Sequence, residues 1–294
     1  MKRVLKRLGL VLGGLVGVLL FAGATAYALG SRAVGRTYEV QTAALRVSDD
    51  SASVAHGAHL AAIHGCTDCH GPDLGGQVFV DAPPFRLTAS NLTRGEGGVG
   101  ARYTDADWDR TVRHGVKPDG RAVIVMPAAA YHRLADEDAA DLIAYLKRLR
   151  PVNRALPPSD VRTLGRLLAA GPLDASFEVS VTPARATAPP SGPTATYGAY
   201  LASITCAYCH GADLRGAQPP NPDSPPAPDL AAAGAWTYPQ FARALQTGVR
   251  PAGAPLDPHV MPWRSTAAMT SDELKALYAF LGTLGERASS APDA

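Results

Sequence analysis

Cysteine and methionine are both scarce in this chain, with four of each among 294 residues. The cysteines fall in two short segments, Cys66-Thr67-Asp68-Cys69-His70 and Cys206-Ala207-Tyr208-Cys209-His210, so none is left for a structural disulfide. A block of like charge is also missing. Lys and Arg number 28 against 26 Asp and Glu, and the formal net charge of +2 depends on the extreme N-terminus. Without Lys2, Arg3, Lys6 and Arg7 the remainder has 24 basic and 26 acidic side chains and is slightly acidic. With no basic block and no recognition motif, nucleic-acid binding is without support.

What the cysteines do form is Cys-x-x-Cys-His, twice. In that arrangement two thiols make thioether bonds to the vinyl groups of a haem, and the adjacent His sits beneath the iron as its proximal ligand. A four-cysteine zinc site or a thioredoxin-like dithiol would use the same cysteines. Neither accounts for the His after both pairs, nor for the shared continuation Gly71-Pro72-Asp73-Leu74-Gly75-Gly76 and Gly211-Ala212-Asp213-Leu214-Arg215-Gly216. The expectation is two covalently bound haem c groups, held by Cys66, Cys69, Cys206 and Cys209, with His70 and His210 on the irons.

The sixth position of each iron separates electron transfer from small-molecule chemistry. Of Met1, Met126, Met261 and Met269, two lie in the same tripeptide, Val125-Met126-Pro127 and Val260-Met261-Pro262. A lone Met is ordinarily core filler, but the repeated context makes Met126 and Met261 the candidate distal ligands. The repeat extends further. Gly57 to Ile63 matches Gly198 to Ile204, Trp108 to Val116 matches Phe241 to Val249, and Leu142 to Leu146 matches Leu277 to Leu281. Each half is therefore one haem module.

The modules read as helical with a long irregular middle. Val54 to Ile63 and Tyr197 to Ile204 have helical patterning and run into the haem motifs. Thr270 and Glu273 have the spacing of a capping box. A counterpart helix is expected from about Ala135, with Leu142, Tyr145, Leu146 and Leu149 as its buried stripe. Asp81 to Phe85 and Pro219 to Pro228 cannot be regular helix and are expected to wrap the cofactor.

These motifs resemble the class I cytochrome c family, with a helix into Cys-x-x-Cys-His, a distal Met followed by Pro, and a closing helix. More narrowly, Asn91-Leu92-Thr93, Tyr103 to Gly120 and Met126-Pro127 are similar to multihaem cytochrome subunits of membrane-associated alcohol- and aldehyde-type dehydrogenases. The resemblance implies an all-α fold of two tandem modules with long irregular loops. It assigns Cys66, Cys69, His70 and Met126 to one haem and Cys206, Cys209, His210 and Met261 to the other. The second module lacks an Asn-Leu-Thr segment, so no propionate contacts are carried over.

Leu8 to Leu29 is a run of 22 uncharged residues, long enough to span a bilayer as a transmembrane helix. Four basic residues before it and two just after, Arg32 and Arg36, put the N-terminus in the cytoplasm and the modules outside. Ala24-Thr25-Ala26 and Ala26-Tyr27-Ala28 also have the form signal peptidase accepts. Either way the modules are expected on the periplasmic side of a bacterial inner membrane. The domains read as a membrane segment at 1–36, modules at 50–152 and 195–286, a linker at 153–194 with an extended half from Thr182 to Pro193, and a disordered tail at 287–294. Leu164, Leu167 and Leu168 suggest a short helix packed on a module, and the two modules are expected to dock. His56, His59 and His64 read as part of an exposed helix, and His114, His132 and His259 carry little signal. The expected role is a non-enzymatic carrier of single electrons between a dehydrogenase donor and an oxidase or soluble cytochrome acceptor. The alternative is a dihaem peroxidase or another haem enzyme acting on a small molecule.

Overall fold

The computed structural model describes residues 2–173, 177–185, 187–219 and 224–289, with side chains as far as residue 285. In chain order its elements are α1 (Lys2–Val34), α2 (Ser51–Ile63), α3 (Cys66–His70), β1 (Gln77–Asp81), β2 (Phe85–Ala89), α4 (Asp105–His114), α5 (Ala128–Tyr131), α6 (Asp136–Lys147), β3 (Asp160–Val161) and α7 (Thr163–Leu168). There follow α8 (Ala195–Thr205), α9 (Ala207–His210), α10 (Ala231–Gly234), α11 (Tyr238–Thr247), α12 (Trp263–Thr266) and α13 (Ser271–Ser289).

Each module is framed by its first and last long helices, α2 against α6 and α8 against α13. Both crossings are at a glycine. A Cβ on Gly57 would overlap the Asp141 carbonyl oxygen, and one on Gly198 would overlap that of Ala276. The backbones approach this closely only because the side chain is missing. Leu60, Ile63, Leu142, Ile143 and Leu146 fill the first core, and Leu201, Ile204, Leu274, Leu277 and Leu281 the second. Tyr145 and Leu149 are only partly buried, at the edge of the first.

The helix ends repeat as well. Thr104 with Asp107 and Thr237 with Gln240 form capping boxes on α4 and α11. These helices stop at Gly115 and Gly248, whose φ values of 65° and 70° are left-handed. The Thr270 capping box forms as expected, with the Glu273 amide donating to Thr270 Oγ1 at 3.2 Å and the Thr270 amide to Glu273 Oε2 at 2.7 Å. Helix α13 continues to Ser289, three residues into the segment read as tail, while 290–294 lie outside the described residues.

The helical frame carries a small addition that periodicity did not reveal. Strands β1, β2 and β3 form an antiparallel sheet in that order, with a bulge between Val78 and Val80. Its turn is the Pro-containing segment 82–84, so the prolines exclude helix and also end a hairpin. Among the described residues the second module has only an isolated bridge, Ala217 to Ala227, in the matching region. Part of its Pro-rich loop, 220–223, lies outside the described residues.

The modules dock through a reciprocal interface. His59 Nε2 meets Glu273 at 2.8 Å across it, and Tyr200 donates its hydroxyl proton to Asp138. His59 and Tyr200 hold matching positions in the repeat, and so do Asp138 and Glu273. Likewise α5 touches α8 where α12 touches α2. This is the isologous pattern of a two-fold interface, built here within one chain. It corrects the reading of His56, His59 and His64 as an exposed helix. His56 Nδ1 lies 2.9 Å from Asp141, and His64 is enclosed, with burial pushing its ring down to about 4.

The linker is also held along part of its length. Arg113 is fully buried and donates to Asp109 at 2.5 Å, to Asp136 at 2.7 Å and to the Arg185 carbonyl at 3.3 Å. The Ser180 carbonyl accepts from His114 Nδ1 at 2.8 Å. A buried guanidinium must be surrounded by acceptors, and part of this set comes from the connecting segment.

Two expectations follow. Gly57→Ala or Gly198→Ala destabilises the protein by about 1–3 kcal/mol, read from denaturant unfolding. The hydrogen bond to Glu273 raises the His59 pKa above its ordinary 6.5, against an opposing effect of burial. That contribution is fully present below the unfolded pKa and is lost as pH rises through the folded one. The stability difference between the native protein and His59→Gln is therefore larger at about pH 6 than at about pH 8.5, and a difference independent of pH would contradict the ion pair.

Candidate functional site

Helices α2 and α8 each run directly into a Cys-x-x-Cys-His turn, α3 and α9, so the frame of the module sets the position of the motif. The chain then makes the same tight turn twice. The Leu74 amide donates to the Gly71 carbonyl at 3.0 Å and the Gly76 amide to the His70 carbonyl at 2.8 Å. In the second module the Leu214 amide donates to Gly211 at 3.0 Å and the Gly216 amide to His210 at 2.9 Å. Leu74 and Leu214 are left-handed at φ 52° and 61°, uncommon for a bulky side chain, and both are buried. Their amide and carbonyl groups are used: the carbonyls accept from Leu92 and Leu230, each at 2.9 Å.

The turn brings a backbone carbonyl to each imidazole. His70 Nδ1 lies 2.8 Å from the Ser90 oxygen and His210 Nδ1 lies 2.8 Å from that of Pro228. A carbonyl only accepts, so the proton is on Nδ1 and the lone pair on Nε2. An imidazole fixed in this tautomer is arranged to ligate a metal through Nε2. Burial also pushes the His70 pKa down, partly offset by the Ser90 bond.

Beside His70 is a cavity of about 1010 Å³, walled by Cys66, Cys69, Met126, Trp108 and Tyr131 among others. Its lining is mainly apolar, with buried polar atoms on Trp108 (Nε1), Thr88 (Oγ1) and His64 (both ring nitrogens) that have no protein partner. Such a space fits a large apolar ring with polar substituents. From the second module Tyr208, Cys209 and His259 reach the same cavity, whereas Cys206, His210 and Met261 lie outside its wall. The two methionines are nonetheless placed alike. The residue two after each donates its amide back to the methionine carbonyl at 2.7 Å, and Pro127 and Pro262 have nearly identical backbones, φ −74°, ψ 58° and φ −76°, ψ 60°.

The thiols are shifted by burial away from the range of a reactive dithiol. Burial pushes Cys66 up to about 12 and raises Cys69, Cys206 and Cys209 as well. A redox-active thiol needs the opposite shift. Among the described residues no three His, Cys, Asp or Glu side chains converge to hold a metal ion, so the two pairs do not combine as a zinc site.

Some participants were not legible in the residue pattern. Tyr131 donates its hydroxyl to the His64 carbonyl at 2.8 Å beside the first motif. Tyr208, inside the second motif, donates to Glu178 on the connecting segment. Neither has a counterpart in the repeat that would have marked it.

Covalent attachment motifs, fixed imidazoles and a following Met-Pro on a helical frame define a c-type cytochrome. The cytochrome c family model matches residues 54–150 and 195–285, and the chain belongs to that family. Membership implies that the modules bind haem c. The chain is 32% identical over 117 residues to the fructose dehydrogenase cytochrome subunit of Gluconobacter japonicus, covering 37% of this chain and 24% of that subunit. It is 34% identical over 110 residues to the cytochrome c subunit of a quinone alcohol dehydrogenase from Gluconacetobacter polyoxogenes, covering 35% and 23%. A diheme cytochrome c-type protein of Cereibacter sphaeroides is 34% identical over 128 residues, covering 37% and 43%. These alignments span about a quarter of the length of the two dehydrogenase subunits.

Gly76 is at φ 79°, and a Cβ there would come within 2.5 Å of the Ala89 oxygen and 2.6 Å of the Asn91 amide, on either side of Ser90. Gly76→Ala is therefore expected to displace the carbonyl that holds His70. Haem absorbance per chain should fall toward half, while Gly171→Ala, at an open surface site, leaves it unchanged.

Proposed function

We propose that this chain is a membrane-anchored c-type cytochrome with two haems, which passes single electrons along a periplasmic respiratory chain. The observation that carries the reading is the duplicated site, in which His70 and His210 are fixed in the same tautomer and Met126 and Met261 occupy equivalent turns. Cys66 and Cys69 attach one haem and Cys206 and Cys209 the other. Bound there, haem iron supplies reversible one-electron chemistry.

The residues of the chain decide what else can happen. His70 and His210, with Nδ1–H anchored to the Ser90 and Pro228 carbonyls, would hold the iron through Nε2. The Met126 and Met261 sulfurs would be the second protein ligands, and a thioether there would favour the reduced metal and raise the reduction potential. Held by both His and Met, the iron would have no position left for a substrate. A peroxidase would need a vacant side and a nearby acid or base. Similarity to the dehydrogenase subunits supports a dehydrogenase as donor and an oxidase or soluble cytochrome as acceptor.

The anchor is α1, a 33-residue apolar helix consistent with a membrane span, which leaves the modules on the periplasmic face of the inner membrane. The partition that accompanies this reading is 1–36 anchor, 50–152 and 195–286 modules, and 153–194 connector.

A pyridine haemochrome assay on the purified protein is expected to give two haems per chain. Met126→His and Met261→His should each remove about half of the ferric charge-transfer absorption characteristic of methionine ligation and lower one of two reduction potentials. One haem per chain, or variants that leave that absorption intact, would overturn the assignment.

A further inference from the structure

Helix α7 is docked on the exit of α1 and presents leucines outward. A Cβ on Gly30 would overlap the Arg166 carbonyl, and Ala170 is the next neighbour, so the two helices touch at backbone distance. Ala26, one turn deeper, is half-buried on the same face. The uncharged run from Leu8 to Leu29 is about 33 Å long as a helix, close to the roughly 30 Å of a hydrocarbon core. Gly30 therefore lies at the outer boundary of that core, a depth also marked by Tyr27, since aromatic rings favour the interface.

The position of Gly30 fixes that of α7. Leu164 and Leu167 are three apart on the helix and 46% and 36% exposed. From Val161 to Leu173 the chain has no acidic residue and two basic ones, Arg162 and Arg166. Exposed Arg32 lies just past the end of the run. Exposed leucines with basic neighbours, held at interfacial depth, have the character of a surface-lying amphipathic segment.

We propose that α7 is seated on the outer surface of the same membrane that α1 crosses, with Leu164 and Leu167 among the acyl chains and Arg166 and Arg32 at the lipid phosphates. The proposal rests on the reading of α1 as a membrane span. Its consequence is orientation. Arg162 donates to the Ala82 carbonyl at 2.7 Å and to Asp81, and Gly165 lies against Pro84 and Phe85, so α7 grips the β1–β2 hairpin. That hairpin supplies Phe79 and Thr88 to the cavity of the first module. The first module's haem site is thus tied to the membrane surface through α7.

The four native cysteines are consumed in the haem-loaded chain, so an introduced cysteine is the single free thiol. Full-length, haem-loaded Leu15→Cys, Leu164→Cys, Leu167→Cys and Lys275→Cys proteins would be labelled with an environment-sensitive fluorophore in lipid nanodiscs. Quenching by brominated acyl chains would then be compared with quenching by iodide. Labels at 15, 164 and 167 are expected to be quenched by brominated lipid, and the label at 275 by iodide. If 164 and 167 follow 275 while 15 follows lipid, α1 spans but α7 faces water or a protein partner, and the proposal is overturned. If 15 also follows iodide, the anchor reading falls, and the proposal falls with it.

Discussion

One hydrogen bond, from an imidazole Nδ1–H to a backbone carbonyl, underlies the chemistry of each module. It fixes the tautomer and holds the ring, which leaves the lone pair of Nε2 free to ligate a metal. The carbonyls of Ser90 and Pro228 reach His70 and His210 because the chain turns sharply after each motif, through a left-handed leucine whose side chain is buried. The strained backbone at Leu74 and Leu214 is retained because three hydrogen bonds and core packing hold it there. Helix crossing, motif, turn and carbonyl thus form one continuous piece of backbone, built twice.

The second constraint is the way the two copies face each other. His59 pairs with Glu273 and Tyr200 with Asp138, so equivalent positions serve both sides of the interface. Ser265 of the second module donates to Asp68 within the first motif at 2.7 Å, and Tyr208 and Cys209 reach the cavity beside His70. The attachment motif of one module is therefore next to that of the other. Close approach of the two centres is what an electron relay within one chain requires. The linker segment pinned by Arg113 and His114 limits movement away from this arrangement.

Legibility followed distance along the chain. The two motifs, the Met-Pro tripeptides and the Thr270 capping box are local patterns that each lie within a few residues, so each stands out in the sequence; of these the capping box is seen directly. Repetition then extended the reading to Met126 and Met261, which alone would pass for core filler. What failed to show was made by long-range packing. His59 looks like a residue of an exposed helix until Glu273 of the other module meets it, and His64 until Tyr131 packs against its ring. The β1–β2 hairpin is hidden by Asp81 to Phe85, where prolines announce only that helix is impossible. Leu164, Leu167 and Leu168 marked a short helix correctly, but its place beside α1 depends on Gly30, more than a hundred residues earlier. Arg113 gave no sign of being buried, because its partners come from α4, α6 and the linker.

The most direct test of the account is low-temperature electron paramagnetic resonance of the fully oxidised protein, before and after peroxide. Histidine and methionine on both irons should give low-spin ferric signals integrating to two centres per chain, unchanged by peroxide. A high-spin signal that responds to peroxide would mean that one iron has an open side, and would contradict the carrier function.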